Sequence, residues 1–159
     1  EEHFSQFRFL LGNRPASCDF ALFGQLSQLV GFDPTSRKIA HKVSPRTVAW
    51  TNIMEDLSGL DVSDEDWIDE EFSESLINIF KEIGRVYVPA LLANEKASID
   101  QEKTWEAMID DSNWSQQTFP YQVKCLRWIN DEYQKLNDEE KTKVSNFLDK
   151  THCKNLIRR

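Results

Sequence analysis

Glycine and proline are scarce in this chain, with five of each in 159 residues. That is too few for the turn density of an all-β sandwich or barrel. Cysteine is scarcer still: Cys18, Cys125 and Cys153 are odd in number and show no metal-ligand spacing. They suit reduced, mostly buried thiols of a cytoplasmic protein. No apolar run approaches the roughly 20 residues needed to span a bilayer, and the first residues, EEHFSQ, lack the basic and apolar regions of a secretory signal. Positive charge is in deficit, with 19 Lys and Arg against 27 Asp and Glu for a net charge of −8. Such a balance opposes nucleic acid and anionic membranes as partners, because both are held by cations that neutralise phosphate.

Catalytic motifs are equally sparse. The histidines are His3, His41 and His152, and none stands in a triad motif of the kind that activates a Ser or Cys nucleophile. His152 is adjacent to Cys153, but neighbours on a helix point about 100° apart and do not face each other. The scattered glycines form neither GxxxxGK nor GxGxxG, so no phosphate-cradling loop is present. The acidic stretch 61–74, DVSDEDWIDEEFSE, lacks the glycine and terminal glutamate of a calcium loop and reads as solvated. Asp110 and Asp111 read as a polar turn, since acid–base work would need a cleft that raises one pKa. Neither a catalytic residue nor a metal ligand is assigned.

What is present is a hydrophobic fraction of 40%, including five Trp and ten Phe, enough for a packed core in one domain without a linker. The segment Gly12 to Asp33, GNRPASCDFALFGQLSQLVGFD, holds apolar side chains around nearly the whole circumference of a helix. This pattern predicts a buried central helix. Pro15 precedes its first turn, Asp19 is placed to reach back to a free N–H at the helix start, and Gly24 is expected to admit a close neighbour. Phe4, Phe7, Leu10 and Leu11 read as the last turns of a helix that begins upstream. With no initiator Met, the chain reads as a fragment that starts mid-structure.

Further along, Ser44-Pro45 predicts a capped helix with Trp50, Ile53, Met54 and Leu57 on one face, ending near Ser58-Gly59. Ser73 is expected to cap a helix with the stripe Leu76, Phe80, Ile83, Tyr87, Ala90 and Leu91, which Pro89 should kink or end. Residues 104–118 fit either helix or strand, and the polar Asp110 to Asn113 between two Trp-bearing arms suggests a small β-hairpin. Pro120 opens a helix with Leu126, Ile129, Tyr133 and Leu136 in register. Asn137 and Glu140 form a capping box for the next, carrying Val144, Phe147 and Leu148, and a short terminal helix holds Cys153, Leu156 and Ile157. Phe119, Tyr121 and Trp128 read either as core or as the lining of an apolar pocket.

An Arg-Pro turn, a small residue at the cap and an acid at the third helical position, here Arg14-Pro15, Ala16 and Asp19, resemble the start of the sixth helix of glutathione S-transferases. The usual cap there is Ser or Thr. Ala16 forgoes about 0.5–2 kcal/mol that such a cap contributes. QLVGFDPT at 28–35, SPRTVAW at 44–50, YVPALLAN at 87–94 and YQVKCLRW at 121–128 are similar to a group of longer bacterial transferase-like proteins.

The resemblance implies an all-α, glutathione S-transferase C-terminal-like helical bundle with one small hairpin. Residues 1–96 would form the core, and residues 97–159 a helical extension on the same domain. It further implies an N-terminal thioredoxin-like domain upstream that binds glutathione and supplies the catalyst. This chain would contribute the electrophilic-substrate wall, subunit contacts and a possible homodimer interface, with no glutathione chemistry of its own. Asp19 is expected to be a structural cap, and Gln25 and Gln28 are candidates to face the substrate cleft, or else to bond between helices. A non-enzymatic interaction or scaffold module is the alternative. A helical domain with its own small-molecule pocket is a third reading.

Overall fold

The computed structural model describes residues 1–68 and 72–157. Among these the chain is mostly helical with one two-stranded antiparallel sheet, in agreement with an all-α fold plus a hairpin. Contacts divide it into two compact units, Glu1–Leu76 and Ile77–Arg159. The division falls ahead of position 97, where the resemblance places its boundary.

The first unit contains α1 (Glu2–Gln6), α2 (Ser17–Leu26), α3 (Pro34–Val43) and α4 (Pro45–Met54). α1 ends at Phe7, so the helical spacing of Phe4, Phe7, Leu10 and Leu11 is not used as one helix. Instead, Phe9 and Gly12 pair in a tight bridge, and Gly12 pairs with Trp67. Gly12 has φ +120°, and a Cβ there would stand 2.3 Å from the Asp66 carbonyl oxygen. Glycine is therefore required where segments 11–13 and 66–68 pair, with Asn13 N–H donating to Asp66 O and Ile68 N–H to Leu11 O.

This pairing changes the reading of the acidic stretch. Arg14 donates to Asp64 at 2.8 Å and lies over the Trp67 ring at 4.5 Å. Residues up to 68 are thus anchored to the first unit, while Asp69, Glu70 and Glu71 lie outside the described residues.

α2 begins as expected but is not a central buried helix. The Asp19 carboxylate is fully buried and accepts from Ala16 N–H at 2.9 Å and from Leu10 N–H at 2.8 Å. Ala16 returns no side-chain bond, so only the acid's half of the box exists. Leu22, Phe23 and Leu26 pack on Phe9, Trp50 and Met54, whereas Phe20, Leu29 and Phe32 face solvent. Gly24 has nothing within 4 Å of a notional Cβ; the close neighbour expected there is missing because Gly24 lies on this outer face. From Ser27 to Phe32 the helix widens into a π turn, closed by Asp33 N–H donating to Gln28 O.

This π turn continues directly into α3. Asp33 caps it through Ser36 N–H at 2.7 Å, and Pro34 occupies its first turn. At α4 the Ser44 hydroxyl meets the Thr47 hydroxyl at 2.6 Å rather than a backbone N–H. The carboxylate of Glu1 takes over, accepting from Arg46 N–H at 2.8 Å. Trp50 and Met54 enter the core, but Ile53 turns outward.

α5 (Glu74–Glu82) runs across the division, its start capped by Ser73 through Leu76 N–H. A π turn (Ile83–Tyr87) leads straight into α6 (Val88–Ile99). Pro89 therefore neither ends the run nor breaks it. Its missing N–H coincides with a change of register, in which Val88 N–H bonds back five residues to Ile83 O. The extra residue per turn rotates Tyr87 out of the predicted stripe, leaving it 45% exposed, and brings Val88 in at 3%.

Gly84 lies within this turn, and a Cβ there would stand 2.1 Å from Thr151 O. α7 (Pro120–Lys135) and α8 (Asp138–Lys150) complete the second unit, the Asn137–Glu140 capping box being formed. Val88, Leu91, Leu126, Leu148, Cys153 and Leu156 make its core. Ile129 is exposed, because α7 turns Val123 and Leu126 inward instead. Cys153 precedes a single 3-10 turn (Lys154–Leu156) rather than lying in a helix.

Two stability predictions follow from buried polar groups of the first unit. Asp19→Ala leaves two backbone N–H groups unpaired and should lower unfolding free energy by about 2–4 kcal/mol in urea melts. His3 is 3% exposed; its Nε2–H points at the carbonyls of Phe9 and Leu10, and its Nδ1 meets the Ser75 hydroxyl at 2.9 Å. Burial lowers its pKa, against an opposing pull from those carbonyls and Asp19. The unfolded chain therefore binds the proton more readily. Stability conferred by neutral His3 is complete above about pH 6.5 and lost as pH falls toward the folded-state pKa. Urea midpoints should decline over that interval, and His3→Gln should flatten the decline.

Candidate functional site

Exposure along α2 and its π turn repeats with the helix period. Asp19, Leu22, Phe23, Leu26 and Val30 turn inward, while Phe20, Ala21, Gln25, Gln28, Leu29 and Phe32 form the outer stripe. Phe32 is 79% exposed, Phe20 55% and Leu29 49%. Gln25 and Gln28 therefore lie in an uncovered apolar stripe and are not buried between helices. Asp19 is a cap, as its position in the sequence predicts.

The second unit holds an apolar groove that the sequence did not single out. β1 (Thr104–Ile109) and β2 (Ser112–Gln117) form the expected hairpin, with Ile109 opposite Ser112. Asp110 and Asp111 make the two-residue loop, both with φ near +55° (52° and 58°). Positive φ at both loop residues is the primed turn that matches strand twist. Trp105 and Ile109 turn inward and pack on the small residues Ala90, Ala93 and Ala97 of α6. A helix face of alanines lets a sheet approach closely.

The β2 residues opposite them, Gln116, Trp114 and Ser112, share that face by register, yet all six β2 residues are exposed. Below β2 lies a cavity of about 450 Å³ whose walls include Tyr87, Trp105, Ile109, Trp114, Gln116 and Gln122. Both ends of this hairpin are tied down. At the base, Asn94 is fully buried; its amide donates to Phe119 O at 3.0 Å and accepts from Phe119 N–H at 2.7 Å. At the tip, Arg85 pairs with Asp110 and, at 2.7 Å, with Glu82. Exposed ion pairs contribute at most about 1 kcal/mol, so the buried amide is the stronger tie.

Tyr87 has its phenol pKa raised by burial first and by the neighbouring Cys125 second. A wider depression of about 610 Å³ near Lys96, Glu102, Lys103 and Glu106 is walled by both signs of charge.

Among the described residues, the His3, Ser75 and Cys153 side chains lie in structural contacts. His3 and Ser75 have base-to-hydroxyl geometry, but both are 3% exposed and bonded to backbone or to Ser73. Cys153 is fully buried with its thiol directed at Phe80 O and Thr151 O, while adjacent His152 is exposed with φ +60°. Among the described residues no His, Cys, Asp and Glu are grouped to hold a metal ion, and no helix is long and apolar enough to cross a membrane. Phe119, Tyr121 and Trp128 are exposed and lie outside the core. They form an exposed ladder of rings 6.1 and 6.2 Å apart, with Lys124 over Trp128.

Comparison with known proteins finds no matching protein family, curated protein or solved structure.

The base of the hairpin and its turn are separable by mutation. Asn94→Ala strips both backbone partners from Phe119 and should cost about 2–3 kcal/mol in thermal or urea unfolding. Asp111→Gly relieves a non-glycine left-handed residue and should add about 1 kcal/mol in the same assay.

Proposed function

We propose that this chain is the C-terminal helical part of a glutathione S-transferase-like protein. In this reading it supplies a wall for the electrophilic substrate and contacts for a thioredoxin-like domain or a second subunit. The observation that carries the reading is the outer stripe of α2, where Phe20, Leu29 and Phe32 are exposed beside Gln25 and Gln28. Such a stripe gains free energy when covered, at about 25 cal/mol per Å² of apolar surface. Its amides orient a polar group without charge. The buried Asp19 cap at the head of the same helix agrees with the motif on which the resemblance rests.

Glutathione itself has no fitting site in the groove of the second unit. Its carboxylates would meet Asp110, and the guanidinium beside that residue, Arg85, is already paired with Asp110 and Glu82. Tripeptide binding and the activated thiol are therefore assigned to the thioredoxin-like domain. An interaction module is the second reading, favoured by the exposed ring ladder Phe119, Tyr121 and Trp128.

The test is conjugation of glutathione to an aryl halide, comparing residues 1–159 with the full natural protein. The full protein should conjugate and the isolated chain should not. In the full protein, Phe32→Ala should raise KM for the aryl halide about threefold or more while leaving KM for glutathione unchanged. Conjugation by the isolated chain, or none by the full protein, would overturn the reading.

A further inference from the structure

The groove beneath β2 has a composition that selects a ligand, independently of the transferase reading. Three aromatic residues, Tyr87, Trp105 and Trp114, are among its lining. Aromatic walls favour a flat partner, through offset stacking and edge-to-face contact. Trp114 stands opposite Ala107 in the strand register. That small neighbour leaves the indole free of a cross-strand partner of its own size, and it remains 49% exposed.

Polar groups are few and neutral. Gln116 and Gln122 each offer a donor and an acceptor, and Ser112 adds a hydroxyl. The one charge on the lining is Asp110, which is anionic, and the chain carries −8 overall. An anionic ligand would thus be opposed both locally and at long range. The walls are set before any ligand arrives: Asn94 holds the base of the hairpin and Arg85 its tip. Preorganisation of this kind lowers the ordering cost of binding. The volume of about 450 Å³ falls in the range of small-molecule sites.

We infer that this groove binds an uncharged planar aromatic or heteroaromatic molecule. The ring lies against Trp105 and Trp114, and its polar edge faces the amides of Gln116 and Gln122.

The probe is N-phenyl-1-naphthylamine, a neutral aromatic amine whose emission rises in apolar surroundings, titrated into the intact chain. One molecule per chain should bind saturably, with quenching of tryptophan emission. Ser112→Phe fills the groove from an exposed strand position, and Trp114→Ala removes one wall. Each should weaken binding about tenfold or more while leaving the circular dichroism spectrum unchanged. Phe32→Ala, in the other unit, should leave the titration as it is. The anionic analogue 8-anilinonaphthalene-1-sulfonate should bind about tenfold more weakly.

Absence of saturable binding, equal binding of the anionic analogue, or full binding by folded Ser112→Phe and Trp114→Ala would each overturn the inference. None of these results bears on the conjugation assay, so the two readings fail separately.

Discussion

The second unit depends on one buried amide. Asn94 sits on α6 with no solvent exposure and satisfies both backbone groups of Phe119, which immediately precedes α7. A buried N–H or C=O without a partner costs about 1–3 kcal/mol, so this single side chain makes the turn from strand to helix affordable inside the fold. It sets the base of β2 and the start of α7 at once. The groove exists because β1 is covered by the alanine face of α6 while β2, paired to β1 only, overhangs.

A parallel constraint organises the first unit. The Asp19 carboxylate joins the head of α2 to Leu10, so the acid both starts the helix and fixes the strap that precedes it. With the strap in place, Phe9 is buried and Gly12 lies against the backbone of 66–68. One face of α2 then completes a small core with Trp50 and Met54, and the opposite face keeps its aromatic residues in solvent. A helix apolar around most of its circumference has thus been given only half the cover that its sequence calls for. The uncovered half is the stripe on which the proposed contacts rest.

Local signals were legible where their physics is local. Asp19, Ser73 and the Asn137–Glu140 box cap helices because a side chain reaches only its own first turn. The hairpin was legible from a polar turn between two Trp-bearing arms. α3 was missed although Asp33-Pro34 is a cap followed by a first-turn proline, a signal that was present and unused. The π turn at 83–87 was not legible. A period-3.6 stripe places Tyr87 with Ile83, and only the inserted residue moves it into the groove. Of the candidate site, Gln25 and Gln28 were named from the residues, whereas Trp114, Gln116 and Gln122 were not. Alternation along a strand marks which residues share a face but not whether anything covers that face.

By itself the sequence determined the helical class, the hairpin, the main caps and the excess of negative charge, because each arises from residues within a turn or a strand of one another. Tertiary structure decided which apolar faces were buried. The reason is that burial is decided among distant surfaces: one face of α2 packs on Phe9 and on Trp50 and Met54 of α4, and β1 took the alanine face of α6, leaving β2 without one. Gly84 shows the same division, since only contact with the chain at Thr151 reveals why a side chain is excluded there. Periodicity can rank a face as apolar. What lies against it is set by residues far away in the chain.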